Sequence, residues 1–171
     1  MEKLMRTLSL ALIATAILCA CSVRQGWAQP APLVFAVAEI HYVDTSGEAV
    51  DQTADHRRRL RDFEAALRGD LAASGKISNA TLDCPPNACS VGDLNDSQLV
   101  AKAKEAGATH LLIGRFHKMS TLIQQAKFDV IDVKARKLVF DRFITFRGDN
   151  DAAWRHAESF LVRQILEHGE W

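Results

Sequence analysis

The sequence predicts a single layered α/β domain with the element order β-α-β-α-β-β-β-α and a mixed sheet packed by helices. Three observations predict this class. Residues 33–40 form a near-continuous apolar run, which is typical of a strand that helices cover on both faces. Apolar residues then recur at helical spacing within residues 53–74. Near the carboxyl end, segments 123–132 and 138–147 flank a short polar turn and predict an antiparallel hairpin.

The first half of the domain is predicted as strand, helix and strand. The polar residues 44–47 end the first strand, and a helix follows over residues 53–74. Gly75 is placed to end this helix with a left-handed cap, and residues 77–82 form the second strand. The apolar stripe of the helix consists of Leu60, Phe63, Leu67 and Leu71.

The second half begins with a short helix. Asn95 or Asp96 caps this helix, which runs through Ala106. Residues 109–116 form the third strand, and the hairpin supplies the next two. The polar residues 149–151 place a capping side chain and negative charge at the start of the last helix, which the helix dipole favours.

Residues 1–28 have the anatomy of an export signal. Lys3 and Arg6 provide a positive start, residues 8–20 are continuously apolar, and residues 26–28 contain small residues suited to cleavage. The apolar run is too short to span a bilayer comfortably. We therefore expect delivery to the periplasm.

Two cleavage sites remain open for this signal. Cleavage after residue 28 leaves Gln29 as the first residue of a soluble periplasmic protein, with residues 29–171 as one α/β domain. Alternatively, residues 18–21 resemble a lipobox, in which residues 1–20 are removed and Cys21 carries the lipid. In that case the protein is an outer-membrane lipoprotein facing the periplasm, and Cys21 provides its membrane contact.

Charge narrows the classes of partner. Residues 1–28 include three of the 21 basic and one of the 21 acidic residues, so the remainder carries 18 basic and 20 acidic residues, a net charge of −2. A nucleic-acid-binding protein needs a strong positive excess, so the net charge argues against that class. The remaining length is enough for one hydrophobic core.

Cys84 and Cys89 follow the export signal and are separated by four residues. In an oxidising compartment, two such cysteines predict a disulfide that pins the loop between the second strand and the second helix. A redox-active pair is the alternative, although such pairs usually have two intervening residues. A zinc site needs further ligands, and none is evident nearby in the sequence.

The helix over residues 53–74 carries an unusual basic run formed by Arg57, Arg58, Arg59 and Arg61. The plain interpretation is a solvated helix face. However, the run lies in the first half of its helix, where the helix dipole disfavours positive charge. The functional interpretation is a docking patch for an acidic protein surface or for anionic lipid headgroups, because guanidinium groups bind carboxylates and phosphates in bidentate fashion.

Several segments resemble a known group of proteins. Residues 71–75 and 106–114 resemble the domain shared by the amino-terminal region of TolB and curli-secretion lipoproteins, and residues 130–140 resemble its hairpin, with Ala135 where glycine is usual. Residues 126–133 and 140–151 resemble an uncharacterised family of secreted proteobacterial proteins more closely. These resemblances imply a fold and an envelope setting, and they imply no activity.

No catalytic arrangement is evident in the sequence. The six histidines are scattered singly, and neither a nucleophile elbow nor a glycine-rich phosphate loop occurs. Residues 149–151 are explained by helix capping, with a cation site as the alternative. We therefore expect no catalytic residues, no cofactor and no metal.

The leading hypothesis is an exported, non-enzymatic envelope protein, an accessory or assembly component that binds a protein partner. The basic helix face and the exposed edge of the sheet are its expected contact surfaces. The alternative is a periplasmic small-ligand-binding protein, with a crevice outside the carboxyl ends of the buried strands. Tyr42, Asp44 and Phe116 are expected to line that crevice.

Overall fold

The computed structural model describes residues 33–171. The expected signal peptide of residues 1–28 and the alternative lipidation site at Cys21 lie outside these described residues. The elements are β1 (Leu33–Val37), β2 (His41–Asp44), α1 (Thr53–Ala73), β3 (Ile77–Ala80), α2 (Asp96–Glu105), β4 (His110–Lys118), β5 (Ile123–Asp132), β6 (Lys137–Arg147) and α3 (Asp151–His168). The predicted α/β fold class is confirmed.

The strands form one mixed sheet in the order β3-β1-β4-β5-β6. β1 is parallel to both β3 and β4, whereas β5 is antiparallel to both of its neighbours, β4 and β6. The predicted hairpin is therefore β5 and β6. No helix within residues 33–171 is both long enough and apolar enough to cross a membrane.

The apolar run at residues 33–40 differs from the expected single strand, because β1 ends at Val37 and a second short strand begins at His41. Both segments are parallel to β4, β1 alongside its amino-terminal half and β2 alongside its carboxyl end. Glu39 lies between them and donates its backbone N–H to the carbonyl of Cys89 at 3.2 Å. This contact with the loop before α2 interrupts the ladder.

Helices cover the two faces of the sheet unequally. α1 and α3 pack on one face over an aromatic core, in which the Trp154 ring stacks on Phe116 at 4.6 Å and Phe63 stacks on Phe128 at 5.8 Å. α2 packs on the opposite face through Leu99. Alternation of side chains along β4 sends its residues into the two cores in turn.

The helix starts follow the predicted capping chemistry. Asn95 and Gln98 form a reciprocal capping box at the start of α2. Asn150 caps α3, because its side chain accepts a hydrogen bond from the backbone N–H of Ala153 at 3.0 Å. Gly75 has φ +70°, the left-handed conformation expected after α1.

Candidate functional site

A buried network of charged groups lies where β4 ends between the starts of α1 and α3. Its centre is Lys118, whose side chain is fully buried. The Lys118 ammonium donates to Glu48 Oε2 at 2.5 Å, to Gln52 Oε1 at 2.5 Å and to Asp149 Oδ2 at 2.7 Å. Burial alone lowers the pKa of Lys118, but these carboxylate contacts outweigh burial and raise it above its ordinary value.

Asp149 connects this network to α1. Its carboxylate also accepts from His56 Nε2 at 2.7 Å, from Arg59 Nη1 at 3.0 Å and from Trp154 Nε1 at 3.3 Å. Burial alone raises the pKa of Asp149, but the hydrogen bonds from Lys118 and His56 outweigh it, so the pKa is lowered. His56 and Asp149 form the described pair most like a catalytic dyad, yet His56 is only 3% exposed. The network thus joins elements, and its members Glu48, Gln52 and His56 also line a depression of about 420 Å³ beside the start of α1.

The structure divides the basic run of α1 into two groups. Arg58 and Arg59 face the start of α3, where both donate to Asp151, at 2.9 Å and 3.0 Å respectively. These contacts lower the pKa of Asp151 to about 2. Arg58 and Arg59 are therefore engaged within the protein, which the spacing along the sequence does not reveal.

Arg57 and Arg61 are exposed and point away from α3 toward a different surface. Within residues 33–171 neither pairs with a carboxylate, and Arg57 donates to the backbone carbonyl of Thr53 at 3.4 Å. Together they line a groove of about 480 Å³, whose opposite wall includes Pro86 and Asn87. We call this space the basic groove.

The carboxylates that line the basic groove are occupied by internal donors. Glu39 accepts from the backbone N–H groups of Asn87 and Cys89, each at 2.9 Å. Glu64 accepts from the backbone N–H of Ile40 at 2.8 Å, and Asp93 accepts from the Ser90 hydroxyl at 2.6 Å. The groove consequently presents two arginines whose charge its own acidic residues do not directly pair.

The loop that carries Cys84 and Cys89 forms the outer wall of the basic groove, and we call residues 83–89 the disulfide loop. The two sulfur atoms are 1.98 Å apart and the Cα atoms are 5.7 Å apart. Cys89 is buried at 3% exposure against the core under α2. Glu39 binds the backbone of the disulfide loop, and Cys89 packs into the core. These two contacts hold this wall of the groove in place.

The prediction that Tyr42, Asp44 and Phe116 line a crevice is wrong for Phe116. Phe116 is 1% exposed and lies in the core beneath Trp154, because strand alternation directs it to the α1–α3 side. Tyr42 and Asp44 line a depression of about 420 Å³ beside the start of α1, which adjoins the basic groove at Tyr42 and Arg57. Phe116 therefore cannot contribute to a ligand site there.

Residues 149–151 serve both capping and charge pairing. Asn150 is the cap, whereas Asp149 and Asp151 hold the cations described above. Among residues 33–171, no three His, Cys, Asp or Glu side chains converge in a way that could hold a metal ion. Sequence reasoning missed Lys118, whose only signal is a lysine shortly after the apolar run of β4.

Comparison with known proteins identifies a family for this chain. A family model described as "Protein of unknown function (DUF2380)" matches residues 34–166. The resemblance to an uncharacterised family, expected from the sequence, is thereby confirmed. A search of curated proteins by sequence gives no match.

Solved structures share the fold at low sequence identity. The hypothetical protein CT253 from Chlamydia trachomatis is 10% identical with a TM-score of 0.51, over 80% of this chain and 94% of that chain. The lipoprotein GNA1162 from Neisseria meningitidis is 14% identical with a TM-score of 0.48, over 80% of this chain and 98% of that chain. TolB from Acinetobacter baumannii is 13% identical with a TM-score of 0.47, over 81% of this chain but only 29% of TolB.

Proposed function

The chain belongs to this family of unknown function, and from that premise we propose that it is an exported, non-enzymatic envelope protein that binds an acidic segment of a partner protein in the basic groove. The observation that carries the proposal is the state of the charges in that groove. Arg57 and Arg61 are exposed, while Glu39, Glu64 and Asp93 are occupied by internal donors. An acidic segment supplies carboxylates that bind these two arginines directly.

The chemistry of arginine suits this partner. A guanidinium group presents a planar fork of donors that binds a carboxylate in two places, and such charge-assisted hydrogen bonds are stronger than neutral ones. Because Arg57 and Arg61 lie four residues apart on α1, they occupy the same side of the helix. A peptide that crosses this side can meet both in succession, with the anchored disulfide loop as its opposite wall.

The location of the protein is part of the same proposal. Residues 1–28 act as a signal peptide, residues 29–171 form the exported domain, and the periplasm is its compartment, with lipidation at Cys21 as the alternative. The Cys84–Cys89 bond suits an oxidising compartment. A non-enzymatic role is supported by the burial of the His56–Asp149 pair, whose side chains are only 4% and 8% exposed.

The first test measures binding of a short Glu-rich peptide, with a Gln-rich peptide of the same length for comparison, by isothermal titration calorimetry. We expect the Glu-rich peptide to bind, and we expect binding to weaken with added salt. The double variant Arg57→Glu/Arg61→Glu should bind at least about tenfold more weakly, because both charge-assisted contacts become repulsive.

The matched control is Lys134→Glu/Arg163→Glu, which changes the net charge equally at exposed sites outside the groove. It should bind the peptide as the unmodified protein does. An equal loss of peptide affinity in both variants would show attraction by net charge alone. That result would contradict the assignment of the binding site to the basic groove. Unchanged peptide binding by Arg57→Glu/Arg61→Glu would contradict this assignment as well.

The second test locates the natural partner. A photo-crosslinking residue at Pro86, on the disulfide loop, should give a discrete crosslinked protein in the producing cell, whereas the same residue at Arg163 should not. Combining it with Arg57→Glu/Arg61→Glu should remove that product. A product unaffected by the arginine changes, or no product at all, contradicts the proposal.

A further inference from the structure

The sheet ends in a long strand whose outer edge is open. β6 has 11 residues, whereas β3, at the other end of the sheet, has four. Within residues 33–171, Val139 is the one position of β6 whose backbone bonds to a segment other than β5, since its carbonyl accepts from the Glu170 N–H at 3.4 Å. Residues 141–147 therefore present one row of backbone donors and acceptors to solvent.

The usual protections of an edge strand are missing from residues 141–147. Proteins that stay monomeric commonly block such an edge with lysine, proline or a β-bulge. This segment contains neither lysine nor proline, and the register shift of the β5–β6 ladder, between Val130 and Ile131, lies opposite residues 138–140. At the centre of the segment, Phe143 is 58% exposed. An edge of this kind favours pairing with another strand.

The two ends of residues 141–147 carry opposite charges. Asp141 and Arg147 lie six residues apart, so the alternation of a strand places both on the same face of the sheet as Phe143. Asp141 is 60% exposed, and although its Oδ2 atom binds Lys127 at 2.6 Å, its Oδ1 atom accepts no hydrogen bond within residues 33–171. Arg147 is exposed and forms no ion pair within the same residues. Each charge can therefore take an opposite partner across the open edge.

This pattern of charges is complementary to itself. If two copies of β6 pair in antiparallel fashion about a two-fold axis at Ile144, residue 141 of each copy lies opposite residue 147 of the other. In this register no two like charges face each other. Moving the axis to Phe143 places Asp141 opposite Thr145 and loses both ion pairs. The charges therefore select the axis at Ile144.

We propose that the protein forms a symmetric dimer through residues 141–147 of β6, with one sheet continuing through both copies. Asp141 of each copy binds Arg147 of the partner subunit, and Phe143 packs against Thr145 of the partner subunit. Opposite charges that lie directly across two paired strands stabilise the pairing, and the two-fold axis supplies this ion pair twice. No residue of β6 lines the basic groove, so the dimer and the peptide site can fail independently.

The first test measures the oligomeric state of the purified, processed protein by sedimentation velocity. Between about 1 and about 500 μM, the monomer should convert into a species of twice its mass as the concentration rises. A monomer at every concentration would overturn the proposal. A larger assembly would overturn it as well, because the two-fold pairing occupies the edge completely.

Charge reversal then tests the register. Asp141→Arg alone and Arg147→Asp alone each place like charges opposite one another twice, and each should weaken the dimer at least about tenfold. The double variant Asp141→Arg/Arg147→Asp exchanges the two charges and should restore most of the dimer affinity. Unchanged affinity in the single variants, or a double variant no tighter than the single variants, would contradict the register.

Lys137→Asp is the matched control, since Lys137 is exposed on the same strand but lies outside the paired segment. It should dimerise as the unmodified protein does, and an equal loss there would show a general effect of charge. Phe143→Lys is an independent test, because it leaves the ion pair between Lys127 and Asp141 intact and places a lysine at the centre of the contact. It should weaken the dimer at least about tenfold, and unchanged affinity would overturn the proposal.

Discussion

Lys118 joins three segments that are far apart in the sequence. It ends β4, and its ammonium group holds Glu48 and Gln52 from the segment before α1 and Asp149 from the segment before α3. A fully buried ammonium is costly unless its partners are also buried and well placed. Here the carboxylate of Asp149 also binds α1 through His56, so the network links strand and helices directly.

We expect Lys118→Met to reduce the free energy of unfolding by about 3 kcal/mol, because it leaves Asp149 and Glu48 facing each other without their shared cation. Lys127→Met is the matched control. Lys127, on β5, also forms ion pairs with two aspartates, Asp129 on β5 and Asp141 on β6. Its side chain, however, is 36% exposed. Exposed ion pairs are weak, so its loss should cost less than about 1 kcal/mol.

Urea denaturation monitored by tryptophan fluorescence measures both changes. Trp154 lies beside the network, which makes its emission a direct reporter of unfolding. Equal losses for the two lysine variants would contradict the structural role assigned to Lys118.

At the scale of elements, α1 carries three different surfaces. Phe63 and Leu67 face the core, Arg58 and Arg59 face α3, and the basic groove lies on a third side. The packing of α1 on α3 encloses Glu158, whose pKa is raised to about 7 by burial and, to a lesser extent, by the charge of Asp70. The contact between these helices is therefore sensitive to pH.

The direction of this sensitivity follows from the raised pKa. Between the ordinary value of 4.5 and about 7, folded Glu158 keeps its proton and unfolded Glu158 loses it, so stability falls as pH rises through this window. Glu158→Gln cannot ionise. It should match the unmodified protein near pH 4.5 and exceed it at pH 8 by up to about 3 kcal/mol.

Thermal or urea denaturation of both proteins across this pH range measures the difference. A constant difference at all pH values would show that the pKa of Glu158 is the same in the folded and the unfolded protein. A difference that grows toward low pH would have the wrong sign and would contradict the burial argument.

At the scale of the whole molecule, the two faces of the sheet have different exposure. α1 and α3 cover one face, while on the other face α2 covers the side near β1 and β4. β6 is the end strand, and Phe143 on its uncovered face is 58% exposed. This edge is the second contact surface that we predict from the sequence, because the outer backbone groups of an edge strand can pair with another strand.

Export predicts two properties of the mature molecule that one intact-mass measurement tests. Protein from the cell envelope should begin at Gln29, or else carry acyl chains on Cys21 as its first residue. Its mass should be lower by two hydrogen atoms than that of the reduced chain, since Cys84 and Cys89 are joined. An unprocessed chain that begins at Met1 with both thiols free would contradict export.

The amino-acid sequence by itself determined the α/β class, the hairpin of β5 and β6, and the places where α2 and α3 are capped, at which the structure selects Asn95 and Asn150. These features depend on apolar periodicity and on side chains that bond to backbone a few residues away, so they can be seen in short segments. The family resemblance depended on the same kind of local pattern. Within residues 33–171, β2 is a strand that the sequence did not predict, because Glu39 divides the apolar run by bonding to the disulfide loop.

Only the tertiary structure decided which charged side chains pair with one another. Lys118 meets Glu48 and Asp149 across 70 and 31 residues, and Arg58 meets Asp151 across 93 residues. No local pattern encodes such pairs, because the energy of a charge depends on which groups surround it after folding and on how much water remains. The same packing separates the four arginines into two groups and buries Glu158 between two helices.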